Sequence, residues 1–462
     1  MKLRNGVLWV LIVLVAITLA ACSGNNAGSN QKASEAGNNS SEEKGSSSSN
    51  GNAGKDQQSQ DKKTVYFWAR PVANEAWYLD NVAKFNEQHP DIEVEVSFIP
   101  EDAMAEKLKA AQAAGIAPDV VMVNYSKIPE RVRLGQLAPL GSSVTDEQWN
   151  DLEANVLEMV TVNGQRYAYP LEIEASAALY YRKDFFIEAG LDPAKPPKTW
   201  NELIEYARVL KTKDRFGIAM PANGGDLPWT SWGWHAMLGV SPISPDWSKA
   251  SINTPEFERL IGLWKTLFED ELMSPQPLAG YWDPTPLAIG LAGMQINGQW
   301  AIGEIAKTYP DIADQIVVVP VPTPDGETGV PTATAGGWTL AIDAMSQYKE
   351  EAGKFISWLL AGDPQIMADY SNDIQKAPVR KSVAQLDLKY LEDSNNQVFL
   401  TDILPYATSE PWFDYEIQIA YATAVERVTL EKVSISQALA DAEATINDII
   451  ARKELAGKNP KQ

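Results

Sequence analysis

Cysteine and histidine are almost absent from this chain. Its 462 residues include one cysteine, Cys22, and two histidines. A single cysteine excludes an intrachain disulfide framework and a zinc site built from cysteines. Two histidines supply little material for a metal cluster or for catalysis by a serine–histidine pair. The sequence therefore predicts no metal, no cofactor and no catalytic residue.

Basic residues are also scarce relative to acidic ones. The chain carries 39 Lys and Arg against 61 Asp and Glu, which gives a formal net charge of −22. Nucleic acid binding needs clustered positive charge, so the composition excludes nucleic acid as the expected partner. A content of 45% hydrophobic and 22% charged residues is typical of a globular protein, and the length predicts two or three domain-sized cores.

The first 21 residues have the pattern of an export signal. Lys2 and Arg4 supply positive charge, residues 7–17 are all apolar, and small residues follow. A membrane-spanning helix needs about 20 apolar residues, so this run is too short to be one. We predict that residues 1–21 are a signal peptide.

The position of the single cysteine adds to this prediction. Cys22 directly follows Leu19-Ala20-Ala21, an order that resembles the bacterial lipobox, in which the cysteine thiol is lipidated before cleavage makes it the first residue. The alternative is an ordinary secretory peptide with an unrelated cysteine. The resemblance implies an extracellular protein held by a lipid anchor at the outer face of the cytoplasmic membrane.

Residues 23–63 have the composition of a disordered tether. Of these 41 positions, 27 are Ser, Gly, Asn or Gln, and none is Leu, Ile, Val, Met or aromatic. Such a segment cannot bury enough apolar area to offset the entropy of ordering. We therefore assign residues 22–63 to the lipidated cysteine and its tether.

An alternation of strand and helix patterns begins after the tether. Residues 65–68 and 120–123 are short apolar runs, residues 92–98 alternate apolar with polar side chains, and residues 101–114 form an Ala-rich helical segment. This βαβαβ order predicts an α/β layer with a mostly parallel sheet. The alternation restarts near residues 177–181 without a second linker, which predicts two closely connected lobes.

Several motifs keep a common order along the chain. They are Phe85-Asn86-x-x-x-Pro90, Gly115-x-x-Pro118-Asp119, Tyr167-Ala168-Tyr169-Pro170, Tyr180-Tyr181-x-Lys183-Asp184, Thr199-Trp200-x-Glu202 and Asn297-Gly298-x-Trp300. Together they resemble the extracellular solute-binding proteins of ABC importers, specifically the maltodextrin-type class of family 1. The resemblance covers nearly all of residues 64–462.

The resemblance implies a two-lobe α/β fold of the type II periplasmic-binding-protein kind. Crossing hinge strands would join the lobes, and a cleft between them would close on the ligand. Lobe 1 would comprise residues 64–173 and about 319–365. Lobe 2 would comprise about 174–318 and 366–462.

Tryptophan is the most informative residue type for the site. Its flat apolar face and N–H donor suit a sugar ring. Trp200, Trp264 and Trp358 lie at helical spacing among Leu and Ile, which predicts core positions. Trp300 follows a strand and a turn, where α/β folds bind ligands, and the resemblance implies that its ring stacks on the sugar.

Two further tryptophans are predicted to face the ligand. Trp229 resembles the aromatic residue of a family segment that faces the cleft, with Trp232 packed beneath it. Trp338 follows the glycine pair Gly336-Gly337 before a returning strand and would cover the ligand.

Two glutamates lie near the predicted hinge. Glu172 and Glu174 are two residues apart, so both would lie on one face of a strand. The resemblance implies that Glu174 accepts hydrogen bonds from sugar hydroxyls; the alternative is a solvated hinge carboxylate. A glycosidase acid–base pair must flank its bond from opposite faces, which this pair cannot do. Carboxylates on separate segments, such as Asp226 and Asp283, leave a glycoside hydrolase or lyase as an alternative.

The remaining predicted contacts come from strand ends and loop clusters. In lobe 1 the chain departs from the maltodextrin pattern, with Arg70-Pro71 in place of Asp-Lys and Val123-Asn124-Tyr125-Ser126-Lys127 in place of Trp-Ala-x-Asp-Arg. The full set of predicted ligand-binding residues is Trp300, Glu174, Trp229, Trp338, Trp68, Arg70, Tyr125, Asn124, Asp226 and Trp282.

The sequence thus predicts a lipid-anchored, monomeric substrate-binding protein. It would capture a sugar or oligosaccharide by hinge closure and deliver it to the permease subunits of an ABC transporter. The alternatives are a binding protein for a non-sugar solute and a surface-anchored glycoside hydrolase or lyase.

Overall fold

The computed structural model describes residues 62–71, 75–222, 224, 226–374, 376–386 and 388–460, without the side chains of residues 101, 102 and 105. The predicted signal peptide, Cys22 and all but the last two residues of the predicted tether lie outside these described residues. Within them, every helix is too short or too polar to cross a membrane.

Fifteen strands lie in the described part of the chain. They are β1 Lys63–Ala69, β2 Ile92–Phe98, β3 Val120–Asn124, β4 Leu137–Ala138, β5 Thr161–Val162, β6 Gln165–Arg166, β7 Ala168–Pro170, β8 Glu174–Ala175, β9 Ala178–Arg182, β10 Phe216–Ala219, β11 Ala292–Asn297, β12 Ile316–Val319, β13 Thr334–Gly336, β14 Trp338–Asp343 and β15 Thr408–Ser409. Lys63 already pairs with Ile92, so the fold begins one residue before the predicted boundary.

The α-helices lie between and around these strands. They are α1 Glu75–Gln88, α2 Glu101–Ala114, α3 Ile128–Arg133, α4 Asp146–Asn150, α5 Ala154–Met159, α6 Lys183–Glu188, α7 Trp200–Leu210, α8 Asp226–Met237, α9 Pro255–Glu269, α10 Thr285–Ala288, α11 Ala301–Thr308, α12 Pro310–Ala313, α13 Lys349–Ile356, α14 Pro364–Ile374, α15 Lys381–Ala384, α16 Ser394–Val398, α17 Tyr415–Thr429 and α18 Ile435–Arg452. Single turns of 3₁₀-helix occur at Tyr125–Lys127, Gly141–Ser143 and Lys389–Glu392, and π-helical turns at Ser357–Ala361 and Phe399–Ile403.

Local sequence signals explain where two predicted helices begin and end. The Ala-rich helix α2 ends at Gly115, whose φ of 71° supplies the left-handed cap that glycine adopts easily. The start of α7 is a capping box, in which the backbone N–H of Glu202 donates to Thr199 Oγ1 at 3.1 Å and the Glu202 carboxylate accepts from the Thr199 N–H.

The first large sheet has the order β2-β1-β3-β14-β4, and β7 also pairs with β14. Its N-terminal part is parallel, as predicted, because β1 pairs in parallel with both β2 and β3. β14 runs antiparallel to β3. The second large sheet, β10-β11-β9-β12, has one parallel and two antiparallel pairings. The prediction of a mostly parallel sheet is therefore wrong. In the first sheet β14, which comes from a distant part of the chain, runs antiparallel to β3, β4 and β7, and in the second sheet β9 runs antiparallel to both of its neighbours.

A small sheet of three strands lies where the chain passes between the two large ones. Its order is β15-β13-β8. β8 follows β7 of the first sheet and precedes β9 of the second, whereas β13 precedes β14 and carries the chain back. Glu174 on β8 pairs with Gly336 on β13. These short strands are the crossing segments of the fold.

Two separate apolar cores define the two lobes. The first includes Val65 through Ile173 and returns from Ala335 to Tyr390, and the second runs from Ala175 to Ala333 and from Phe399 to Leu455. The boundaries predicted near 319 and 366 therefore lie too early. Residues 367–390 pack against the first core, because α14 places Met367 and Tyr370 there.

The tryptophans predicted for the core differ in burial. Trp264 and Trp200 are buried in the second core. Trp358 is only partly buried, packs against the first core and donates its indole N–H to Gln88 Oε1 at 2.9 Å. The helical spacing therefore identified the packed face correctly, but Trp358 lies at its edge.

Candidate functional site

The edge of the first sheet brings three predicted site residues together. Arg70 follows β1, Asn124 ends β3, and Trp338 begins β14 directly opposite Asn124 in the strand register. The Arg70 guanidinium carbon lies 4.2 Å from the centre of the Trp338 ring, a cation–π contact. Trp338 is 6% exposed, so Arg70 covers much of the ring that was predicted to cover the ligand.

Glu172 is the centre of a buried charge network next to this edge. Its side chain is 3% exposed, and Arg70 Nη2 lies 3.7 Å from Oε1. The Tyr370 hydroxyl donates to Oε2 at 2.8 Å, and the Tyr125 hydroxyl donates to the backbone carbonyl at 3.1 Å. Because an isolated buried charge is costly, these partners are what allow a carboxylate here. Tyr125, a predicted ligand contact, acts in this structure through Glu172.

Lys376 joins this network to the predicted hinge glutamate. Its Nζ forms an ion pair with Glu174 Oε1 and lies 3.9 Å from Glu172 Oε2. Both glutamates therefore face one ammonium group, although only Glu174 lies on a strand, since Glu172 precedes β8. Burial lowers the pKa of Lys376 to about 8, the charge of Glu172 acts to raise it, and Arg70 lowers it further.

The second lobe contributes an aromatic platform around Trp300. Trp300 stands at the start of α11, directly after β11 and its turn. Its indole N–H donates to the Trp282 carbonyl at 3.1 Å, and its ring forms a T-shaped contact with Tyr281 at 5.3 Å between ring centres. A Cβ atom at Gly298 would lie 2.1 Å from the Trp300 ring, so only glycine leaves room for this rotamer.

The platform and the charge network meet at Lys376. The Lys376 Nζ lies 6.0 Å from the centre of the Trp300 ring. The contacts therefore run without a break from Trp338 through Arg70, Glu172 and Lys376 to Trp300. This chain of contacts, which we call the bridging network, joins the edges of the two sheets.

Other predicted site residues are not members of the bridging network. Trp229 on α8 is partly exposed and packs edge-on against the buried Trp232 at 5.8 Å, in the arrangement expected for those two residues. Trp68 is partly buried against the first core. Trp282 has 64% of its surface exposed and contributes its carbonyl group to Trp300.

Asp226, the first residue of α8, lies beside Tyr281. Burial raises the pKa of Asp226, and the backbone N–H of Tyr281 partly opposes that change. Asp226 thus connects α8 to the loop that supports Trp300.

The sequence did not identify Lys376 or Glu410 as site residues. The Glu410 carboxylate accepts the backbone N–H of Ser126 at 2.7 Å and that of Gly337 at 3.2 Å, and burial raises its pKa. It thereby ties the segment after β15 to the edge of the first sheet. Neither residue lies in a recognisable motif, and both act through contacts between segments distant in sequence.

The described residues offer no cluster of three or more His, Cys, Asp or Glu side chains that could hold a metal ion. The arrangement instead combines ring faces with charged hydrogen-bonding groups. Ring faces suit the C–H faces of a sugar, and carboxylates accept hydrogen bonds from its hydroxyl groups. These are properties of a binding site.

Known proteins resemble this chain in sequence. A family model described as bacterial extracellular solute-binding protein matches residues 69–366. The maltotriose-binding protein of Pyrococcus abyssi is 24% identical over 325 residues, which are 69% of this chain and 67% of that protein.

Two crystal structures share the fold. A cyclic alpha-maltosyl-1,6-maltose binding protein from Arthrobacter globiformis is 23% identical, with a TM-score of 0.71, over 85% of this chain and all of that one. A solute-binding protein from Thermotoga lettingae, bound with alpha-D-tagatose, is 25% identical, with a TM-score of 0.71, over 84% of this chain and all of that one. The predicted two-lobe fold and the resemblance that the motifs indicated are confirmed.

Proposed function

We propose that this chain, which belongs to the family of bacterial extracellular solute-binding proteins, captures a sugar or oligosaccharide and delivers it to an ABC importer. The observation that carries the proposal is the position of Trp300. Its ring stands at the end of β11 in the second lobe, within 6.0 Å of Lys376 Nζ, which pairs with Glu174 at the crossing between lobes. A ligand on this ring would reach hydrogen-bonding groups of both lobes.

The relatives support a sugar as the ligand. Proteins of this fold include one that binds maltotriose and one solved with alpha-D-tagatose. Trp300 supplies a stacking face, and Glu174 supplies an acceptor for hydroxyl groups.

Capture by closure of the two lobes fits the way in which the chain crosses between them. Two of the crossings are made by the short strands β8 and β13, and the two cores are separate. Short connecting segments can absorb the backbone rotation of a hinge. A ligand that contacts both lobes would favour the closed state through its differential affinity for that state.

A panel of saccharides in a thermal-shift assay tests the proposal. A ligand present at 1,000 times its Kd adds about 4.1 kcal/mol to the stability of the folded state. We expect at least one saccharide to raise the melting temperature and to reduce the radius of gyration in small-angle scattering. If no saccharide does so, the assignment to sugars is wrong. Cleavage products after prolonged incubation would instead favour a glycoside hydrolase or lyase.

The lipid anchor is a separate part of the proposal and depends on Cys22, outside the described residues. The cysteine follows the predicted export signal and is the only thiol in the chain. We expect Cys22→Ser to abolish labelling by a radioactive fatty acid and to release the protein or leave it unprocessed. Unchanged retention at the membrane would contradict anchoring through this residue.

A further inference from the structure

A short turn connects β11 to Trp300. It consists of Gly298 and Gln299, and the Gly298 carbonyl accepts the Tyr180 hydroxyl of β9 at 2.6 Å. Gln299 is fully buried, although glutamine is a residue type that mostly lies on the surface. A buried side-chain amide needs partners for its oxygen and for its nitrogen, and those partners show what Gln299 does for the turn.

The first partner of Gln299 is Ala175 on the crossing strand β8. The Gln299 N–H donates to the Ala175 carbonyl at 3.1 Å, and the Ala175 N–H donates back to Gln299 Oε1 at 3.4 Å. Glu174 directly precedes Ala175, and Trp300 directly follows Gln299. This reciprocal pair of bonds therefore sets the spacing between the two predicted ligand groups, which are the carboxylate and the ring.

The second partner of Gln299 is Tyr390. The side-chain nitrogen of Gln299 donates to the Tyr390 hydroxyl, and both residues are fully buried. Tyr390 is the last buried residue of the first core, and the second core resumes at Phe399, so the chain crosses between the lobes a third time here. In this crossing, Asn395 Oδ1 accepts the N–H of Val318 on β12 at 3.0 Å. Gln299 thus ties the turn to two separate crossings.

The side-chain contacts of Trp300 come from the loop before α10. Its indole N–H bonds to the carbonyl of Trp282, which has 64% of its surface exposed, and its ring contacts Tyr281 of the same loop. A binding group keeps its geometry when the residues that support it are themselves locked by packing and hydrogen bonds. The buried hydrogen bonds of Gln299 are therefore the firmer support.

We propose that Gln299 is a positioning residue that fixes the Trp300 ring relative to Glu174 and to the crossings between the lobes. A sugar that stacks on the ring would then meet the carboxylate without the entropic cost of ordering the turn. This inference rests on the proposed function, since the position of the ring matters to a ligand that stacks on it.

Fluorine NMR of the ligand-free protein labelled with 5-fluorotryptophan tests the positioning directly. The signal that disappears in Trp300→Phe belongs to Trp300, and the signal of Trp264 in the second core is assigned in the same way. Gln299→Met keeps the length of the side chain and removes its hydrogen bonds. We expect this variant to shift and broaden the Trp300 signal and to leave that of Trp264 in place. An unchanged Trp300 signal overturns the inference.

Tyr390→Phe is a milder second variant, because it removes only the hydroxyl that accepts from Gln299. It should move the Trp300 signal by less than Gln299→Met does. If Gln299→Met does not fold, an unchanged Trp300 signal in Tyr390→Phe overturns the inference.

Gln148→Met is the matched control. Gln148 on α4 of the first lobe also joins two segments, since it accepts from the Thr145 N–H at 2.9 Å and donates to the Ala361 carbonyl at 3.1 Å. Its replacement should lower the melting temperature and leave the Trp300 signal in place. A Trp300 signal that moves equally in this control follows overall stability, which also overturns the inference.

Calorimetric titration with maltotriose and D-tagatose, the sugars named for two relatives, measures the consequence for binding. Gln299→Met should weaken binding about fivefold to tenfold, as the loss of a hydrogen bond does. In a Trp300→Ala background it should have no further effect, because Gln299 acts through the ring. Equal losses in the two backgrounds would overturn the inference. If neither sugar binds the wild type, that result bears on the proposed function, and fluorine NMR alone decides whether Gln299 positions the ring.

Discussion

The two lobes present tryptophan to the site in opposite ways. In the second lobe, Trp300 is partly exposed, and its support comes from an edge contact with Tyr281 and a hydrogen bond to a carbonyl group. In the first lobe, Trp338 is buried under the guanidinium group of Arg70. One ring is available to a ligand, and the other holds a charge in position.

This difference predicts that one lobe's tryptophan contributes to ligand affinity and the other lobe's charges contribute to folding stability. The exposed platform should contribute mainly to binding, because its removal leaves the core of the second lobe intact. The buried charges around Glu172 should contribute mainly to the folded state, because each depends on the others for its partner. Substitutions on the two sides should therefore change different quantities.

The largest effect should come from Glu172→Gln. This change leaves Arg70 and Lys376 without their shared carboxylate in a largely buried place. Removing one partner of a buried ion pair typically costs about 3–5 kcal/mol. We expect the free energy of unfolding, measured in urea, to fall by that amount.

Glu269→Gln is the matched control for this change. Glu269 pairs with Lys265 on the surface of α9, and an exposed pair at this spacing contributes only about 0.3–0.5 kcal/mol. Equal losses in the two variants would mean that the network around Glu172 is solvated in solution.

The next largest effect should come from Trp300→Ala, which we expect to raise the Kd for the sugar. Truncation of an aromatic anchor commonly costs 2 kcal/mol or more, which is about thirtyfold in Kd. Calorimetry with the saccharide identified by thermal shift measures it, and the variant should still unfold cooperatively. Trp358→Ala should do the reverse and lower the melting temperature while leaving Kd unchanged. The reason is that the Trp358 ring packs edge-on against Phe85 in the first lobe. Wild-type affinity in Trp300→Ala would remove Trp300 from the site.

The position of Trp300 was easier to predict from the sequence than that of Lys376. Trp300 could be found because a strand, a glycine turn and a tryptophan form a local pattern, and the structure shows why Gly298 is needed. Lys376 could not be found in this way. Its neighbour Ala377 pairs with Ile173 in an isolated bridge, and these two residues are far apart in the chain.

The lobe boundaries were missed for a similar reason. Helical spacing predicts that α14 has an apolar face, but not which core that face joins. The structure places Met367 and Tyr370 in the first core, and the Tyr370 hydroxyl is also a partner of Glu172. Membership of a lobe and support of the site are thus decided by the same long-range packing.

A smaller effect is expected for Glu174→Gln. Glu174 lies between the Trp300 platform and the charged groups around Glu172. The carboxylate pairs with Lys376 and is the predicted acceptor for sugar hydroxyls. Glutamine keeps an acceptor oxygen but loses the charge, so we expect Kd to rise about tenfold. The control is Glu443→Gln, because Glu443 bonds to Asn253 on the surface and should leave Kd unchanged. A Kd equal to that of the wild type would make Glu174 a purely structural hinge residue.

The most gradual effect should be a pH dependence of stability that comes from Lys376. Burial lowers its pKa from 10.5 to about 8 in the folded state. Between these two values the unfolded chain still holds the proton that the folded protein has released, so stability must rise with pH across this window. Below pH 8 both states are protonated, so the cost of burying the charged ammonium group is fully present and stability does not change with pH through this group. One titrating group changes the free energy of unfolding by at most about 1.4 kcal/mol per pH unit.

Urea unfolding of the wild type and of Lys376→Met, compared from pH 7.5 to pH 9.5, measures this contribution. The tyrosines near Glu172, which are Tyr78, Tyr125 and Tyr370, do not interfere, because burial raises the pKa of each of them well above this range. We expect the wild type to gain stability relative to the variant as the pH rises. A constant difference would mean that Glu172 and Glu174 hold the proton on Lys376 against the effect of burial, and that the bridging network stays fully charged throughout.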